Sequence, residues 1–194
     1  MPKSPKTYDY DLLIIGSGAG GGVTAHIAGD NRKKVAIVED DTIGGECPNY
    51  GCVPTKALLH SAEIYHEAVN GKAYGIDGSQ LKFKYPKIKA WKDLAVLRTG
   101  TSDGEKAFRN DGIEVINGHA HFIGPHEISV GRRRFTAKKF LIATGTKDFV
   151  PPIDGIEDCG YLTYRDAIDL KEPPKSLFVI GGGAIGCEFS LLFS

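Results

Sequence analysis

The sequence has 194 residues, 41% of them hydrophobic, and its 24 Lys and Arg balance 24 Asp and Glu, so the formal net charge is zero. Such a chain can bury one domain and part of another, and its neutrality removes any global attraction to nucleic acid or to an acidic membrane surface. The first ten residues are polar, and Leu12-Leu13-Ile14-Ile15 is too short for a signal-peptide core or a membrane span. A cytoplasmic protein with no nucleic-acid and no membrane partner is the expectation.

In chain order, the run from Tyr10 to Ile15 predicts a buried strand. It ends in Gly16-Ser17-Gly18-Ala19-Gly20-Gly21, and Val23, Ala25, Ile27 and Ala28 follow at helical spacing. Val35-Ala36-Ile37-Val38 predicts a second buried strand closing on Glu39. A glycine fingerprint alone is a weak signal, but this one lies between a strand and a helix. Glu39 then stands at the distance where a carboxylate accepts from dinucleotide ribose hydroxyls, while the pyrophosphate rests on the helix N-terminus. A plain glycine turn with a surface glutamate is the alternative.

Next comes Gly44-Gly45-Glu46-Cys47-Pro48-Asn49-Tyr50-Gly51-Cys52-Val53-Pro54-Thr55-Lys56, followed by a helical pattern through Val69. Two cysteines five positions apart in a regular helix have Cα atoms roughly 7.5 Å apart along its axis, beyond the roughly 4.4–6.8 Å that a disulfide accepts. The backbone must therefore be distorted, and Pro48 and Gly51 are the residues suited to that. A structural disulfide closing so short a loop contributes only about 2 kcal/mol. A zinc site needs a second ligand pair, whereas Cys159 and Cys187 stand alone, so no metal is expected. Redox chemistry is favoured, because a cysteine entering a helix N-terminus near a lysine is in surroundings that favour thiolate.

Beyond Gly71, a helix is expected after Pro86, running with breaks toward Phe108 and using Trp91 for core packing. Short alternating runs at 113–116, 120–123 and Glu127–Val130 predict antiparallel strands. Gly131-Arg132-Arg133-Arg134 predicts a charged hairpin tip. His119, His121 and His126 are close in sequence, but alternation is expected to send neighbours to different faces, with no carboxylate or cysteine to complete a metal site. Phe140-Leu141-Ile142-Ala143-Thr144-Gly145 predicts another buried strand, and Pro151 and Pro152 a linker. Residues 176–180 predict a strand leading into a second fingerprint, Gly181-Gly182-Gly183-Ala184-Ile185-Gly186, which opens a helix bearing Glu188. With so little chain to bury a core, this tail is expected to be loosely held or docked on a neighbouring chain.

The cysteine stretch resembles the redox signature of the flavin-dependent pyridine nucleotide–disulfide oxidoreductases, which include dihydrolipoamide dehydrogenase, mercuric reductase and glutathione reductase. All fixed positions match. Glu46 and Tyr50 replace the Thr and Val of many members at variable positions. The resemblance implies an α/β fold: a Rossmann-like FAD-binding domain over 1–150, with a parallel sheet and an antiparallel β-meander, and the start of a second, NAD(P)-binding domain over 151–194. It further implies that the chain is the N-terminal part of a longer homodimeric protein whose acid–base residues lie past Ser194.

By the same resemblance FAD contacts fall to Gly16, Gly18, Gly21, Glu39, Gly45, Lys56, Ala120, Thr144 and Gly145, and NAD(P)H contacts to Gly181, Gly183 and Gly186. Cys52 is the thiol nearer the flavin and forms the charge-transfer thiolate, Cys47 exchanges with substrate, and Lys56 pairs with Glu188 beside the flavin. A bare helix-face charge is the alternative for Glu188. The implied enzyme passes electrons between NAD(P)H, FAD and a Cys47–Cys52 disulfide, acting on a small disulfide, dithiol or metal ion as dihydrolipoamide dehydrogenase or mercuric reductase does. The alternatives are a glutathione reductase-type enzyme and a non-catalytic flavin-binding module.

Overall fold

The computed structural model describes residues 7–194; the first six residues of the polar start lie outside it. The elements in order are β1 (Tyr10–Ile15), α1 (Ala19–Asp30), β2 (Val35–Glu39), the single turn α2 (Glu46–Asn49), α3 (Cys52–Val69), α4 (Tyr85–Leu97), α5 (Gly104–Asn110), β3 (Glu114–Asn117), β4 (Ala120–Gly124), β5 (Glu127–Val130), β6 (Arg133–Ile142), α6 (Tyr164–Ala167) and α7 (Ala184–Phe193). They fall into two compact units. One joins the chain up to Cys47 with Gly100–Lys147, and the other joins Pro48–Thr99 with Asp148–Ser194.

The first unit holds a six-stranded sheet in the order β3-β2-β1-β6-β5-β4. β1 runs parallel to β2 and β6, and β2 parallel to β3. Alternation along these strands builds two apolar layers. Val35, Ile37 and Ile14 join Ala25 of α1 and Phe108 of α5, while Ala36, Val38 and Leu13 join Ile128, Val130 and Phe135. Burial on both faces is why the strands read as continuous apolar runs.

β4, β5 and β6 form the antiparallel meander. The 113–116 run departs from expectation, because β3 pairs parallel with β2 through Ile37–Val115 and Val38–Ile116. A four-residue strand with Val115 and Ile116 buried between exposed ends suits either direction, and only the helix-bearing connection decides between them. β6 exceeds its expected length because it serves both arrangements. Arg133 to Thr136 pair with β5, and Ala137 to Ile142 pair with β1.

The second unit centres on α3. Its Leu58 is fully buried against Ile168 and against Phe189 of α7. Part of the tail is thus docked within the chain, contrary to the expectation of a loosely held segment. The expected strand at 176–180 is absent, with Leu177, Phe178 and Ile180 exposed, since no strand in this unit pairs with it. Trp91, expected in a core, is 39% exposed with the Arg98 guanidinium over its ring. Besides Tyr85, the residue of α4 that is buried is Lys92, 5% exposed, and its ammonium lies 2.7 Å from Asp169 and 2.8 Å from Asp93.

Three buried groups predict an alkaline limit to stability. Burial and the Glu114 carboxylate, 2.6 Å from the Tyr10 hydroxyl, raise the Tyr10 pKa well above its ordinary value. Burial raises that of Tyr85. For Lys92, burial alone would lower the pKa, but Asp169 and Asp93 outweigh it and raise it. All three hold protons more tightly folded than unfolded. Stability is therefore complete below about pH 10 and falls as pH rises through the folded values. Urea unfolding at pH 8 and pH 11 should give a clearly lower midpoint at pH 11, and equal midpoints would contradict this.

Candidate active site

Gly16 leaves β1 with φ +96°, and its N–H donates to the Val38 carbonyl at 2.8 Å, so the fingerprint turns at the carboxyl end of the parallel strands. A Cβ on Gly16 would lie 2.3 Å from the Ala143 carbonyl oxygen and 3.2 Å from the Thr144 Cα, which places Thr144 against the turn. A Cβ on Gly21 would stand 1.8 Å from the Gly16 carbonyl oxygen. The first and third glycines thus close on each other, and α1 opens at Gly18 with its first amides directed out of the turn.

The cysteine motif joins this turn through its own glycines. Gly45 has φ +69°, and a Cβ there would lie 2.7 Å from the Gly18 Cα, so Gly45 has no room for a side chain, whereas a Cβ on Gly18 would stay 3.9 Å from the Gly45 Cα. Gly44 is also left-handed, φ +92°. Gly51 caps α3 at φ −106°, ψ −106°, outside both the helical and the extended regions, in keeping with the expected distortion of the backbone between the cysteines. The left-handed positions of the motif are its leading glycines.

One residue that sequence reading left without a role stands out here. Ser17, 2% exposed, donates its backbone N–H at 2.8 Å and its hydroxyl at 2.6 Å to Glu39 Oε2, and its Oγ accepts from the Gly44 N–H at 3.0 Å. The other Glu39 oxygen accepts from the amides of Asp40 and Asp41, each at 3.0 Å. The carboxylate expected to meet ribose hydroxyls also ties the fingerprint to the motif. A polar residue between two fingerprint glycines, followed by a buried strand ending in an acid, was the available signal. Ser17→Ala removes the hydroxyl bond and leaves the Gly44 amide without its acceptor, so it is expected to cost about 2 kcal/mol in urea unfolding.

Ala120, Thr144 and Gly145 also belong to this unit. Ala120 opens β4 opposite Val130, and Gly145 leaves β6 with φ +68°. His119 and His121 come together, rings 4.8 Å apart, with His119 Nδ1 2.5 Å from Asp40 Oδ2. This corrects the expectation of different faces, since residues two apart along an extended chain share one. Among the described residues no group of three His, Cys, Asp or Glu is placed to hold a metal ion.

In the second unit α3 begins at Cys52, and the Thr55 N–H donates to the Gly51 carbonyl at 3.2 Å. Pro54 occupies the first turn, where its missing N–H has no partner to lose. Lys56 faces outward one turn on and is paired with Glu188 of α7, as the sequence expectation had it. The second fingerprint repeats the first. Gly181 has φ +109°, Gly183 caps α7, and a Cβ on Gly186 would lie 2.3 Å from the Gly181 carbonyl oxygen. The turn holds its shape although the preceding strand is unformed. Cys47, in α2, and Cys52 are both exposed thiols.

The glycine contacts and the two helix entrances have a shape that suits a dinucleotide at each fingerprint. The chain is 40% identical to a mercuric reductase of Staphylococcus aureus over 185 residues, 95% of this chain and 34% of that one. It is 34% identical to a dihydrolipoyl dehydrogenase of Acholeplasma laidlawii over 191 residues, 96% of this chain and 56% of that one. The chain thus spans about a third to just over half the length of these relatives. Among solved structures, the Cu(II) complex of the HOCl-induced flavoprotein disulfide reductase RclA from Escherichia coli superposes with a TM-score of 0.77 at 32% identity, covering 94% of this chain and 39% of that one. The family described as pyridine nucleotide-disulphide oxidoreductase matches residues 10–194. A match running through both fingerprints and the cysteine motif places this chain in the pyridine nucleotide-disulphide oxidoreductase family.

Proposed function

We propose that the protein is a flavin-dependent oxidoreductase in which NAD(P)H, FAD and a Cys47–Cys52 disulfide pass electron pairs to a small disulfide, dithiol or thiophilic metal ion. The observation that carries the reading is the close backbone approach at Gly16, Gly21 and Gly45, each without room for a side chain, at the Gly18 entrance to α1 and beside Glu39. The tight turn formed at Gly16, Gly21 and Gly45 fits FAD: the α1 entrance would take the pyrophosphate, Glu39 the ribose, and Gly18, Ala120, Thr144 and Gly145 the remainder, with Lys56 assigned to the flavin by the resemblance. Gly181, Gly183 and Gly186 would hold the nicotinamide dinucleotide. In this reading 1–150 is the flavin domain and 151–194 the start of the nicotinamide domain of a longer, homodimeric, cytoplasmic protein.

A bound flavin would supply two-electron transfer between nicotinamide and disulfide. The chain's own part is to hold and release protons and electrons at sulfur. Opening the disulfide adds two electrons and two protons, giving the Cys47 and Cys52 thiols. Cys47, on the turn after Gly45, exchanges with substrate, and Cys52, at the α3 entrance, is the internal partner. Lys56, held by Glu188, places a positive charge one turn beyond Cys52. Identities of 40% to a mercuric reductase, 34% to a dihydrolipoyl dehydrogenase and 33% to a glutathione reductase support a disulfide, dithiol or mercuric-ion substrate for the cysteine pair.

FAD titration followed by flavin fluorescence tests the reading. The chain should bind FAD, and Glu39→Gln, which keeps shape but removes charge, should weaken binding about ten-fold or more. Glu39→Arg should abolish it while circular dichroism stays that of the parent. Equal FAD affinity in all three would refute the ribose role.

A further inference from the structure

Tyr50 stands at a variable position between the two cysteines, and the structure gives it a partner that the sequence did not suggest. The Arg165 guanidinium carbon lies 4.2 Å from the centre of its ring. The ring also packs against the apolar cluster of Leu58, Ile168 and Phe189, together with Tyr164 and Ala167 of α6. Arg165 is itself fixed, because α6 starts on a capping box in which the Thr163 N–H and hydroxyl donate to Asp166 Oδ2 at 2.9 and 2.7 Å. Thus the residue two before Cys52 is held by core packing and by a stacked cation, each from the same unit as α3.

We propose that Arg165 is a positioning residue for the redox segment, clamping Tyr50 and through it Gly51 and Cys52 at the start of α3. The proposal rests on the reading that Cys47 and Cys52 cycle between thiols and disulfide. The stack is made while both cysteines are thiols. The cost of ordering Tyr50-Gly51-Cys52 is therefore met before the S–S bond forms, and the pair closes more readily than a free loop would. A valine at position 50, as in many relatives of the motif, offers no ring face to a guanidinium, so the device belongs to chains with an aromatic residue there.

Two readouts on the whole chain, without nicotinamide, test it. The first is hydrogen exchange of the Thr55 amide, whose bond to the Gly51 carbonyl closes the first turn of α3. Arg165→Ala and Tyr50→Val should each speed it about two- to five-fold, the size of one cation–π contact. Amides in the middle of α3 should keep parent rates, and Tyr50→Phe, which keeps the ring, should behave as the parent.

The second is the equilibrium of the pair with a glutathione buffer. There the two thiols give up two electrons and two protons to form one S–S bond, and one glutathione disulfide becomes two glutathione molecules. The same variants should shift it toward the dithiol by a similar factor, and the double variant should exceed neither single. Parent behaviour of Tyr50→Val in either readout, additive effects in the double variant, or a Tyr50→Phe as impaired as Tyr50→Val overturns the clamp. None of these outcomes depends on FAD binding or on turnover, so the proposed function fails or stands separately.

Discussion

Gly21→Ala is expected to cost about 4 kcal/mol or more and to abolish FAD binding, whereas Gly20→Ala, one residue earlier, is expected to stabilise the chain by about 0.5–1 kcal/mol. A methyl group on Gly21 would stand 1.8 Å from the Gly16 carbonyl oxygen and 3.2 Å from the Ile14 side chain. The atom that must give way is backbone, and it belongs to the turn that ends β1, so α1 has to lift from the sheet. Gly20 is exposed on the same helix, and a methyl group there meets only the Ala143 Cβ at 3.8 Å, an ordinary contact. Its replacement also removes backbone freedom from the unfolded chain. Urea unfolding separates the pair: a Gly21→Ala chain as stable as the parent would mean that the fingerprint does not close as described.

Those two glycines also show how far the sequence can be read. The strand–glycine–helix order located the fingerprint and the alternating runs located strands of the meander, while the α/β class was what the resemblance implied. What sequence could not supply was which fingerprint glycine touches what. The contact between Gly18 and Gly45 joins segments separated by the whole of α1 and β2, and nothing local in either signals it. Ser17 escaped for the same reason, since its role depends on Glu39 and Gly44 arriving together.

The direction of β3 was misread because alternation reports faces and not direction, and the missing 176–180 strand because propensity cannot provide a pairing neighbour. Lys56 with Glu188 was legible only through the resemblance; 132 residues separate them. Tyr50 was noticed as a departure, but its stacking on Arg165 needed the fold.

Cys47→Ser and Cys52→Ser are each expected to reduce NAD(P)H-dependent reduction of substrate by the longer protein to the background of a flavin without the cysteine pair, while changing stability by no more than about 0.5 kcal/mol. Both sulfurs are exposed, so replacing either with oxygen creates no cavity and strands no buried donor. The glycine turn proposed to hold FAD contains neither of them, so flavin binding should survive in both variants. The two should part in their chemistry. Cys47 follows the Gly44-Gly45 turn in the single-turn α2, and Cys52 is the first residue of an 18-residue helix. In the proposed function the first meets substrate and the second stays with the helix, so brief alkylation of the reduced, flavin-loaded protein should mark Cys47 before Cys52. Mass spectrometry of the labelled peptides gives the order directly. Labelling of Cys52 first would reverse the two roles, and full activity in either serine variant would remove the disulfide from the mechanism.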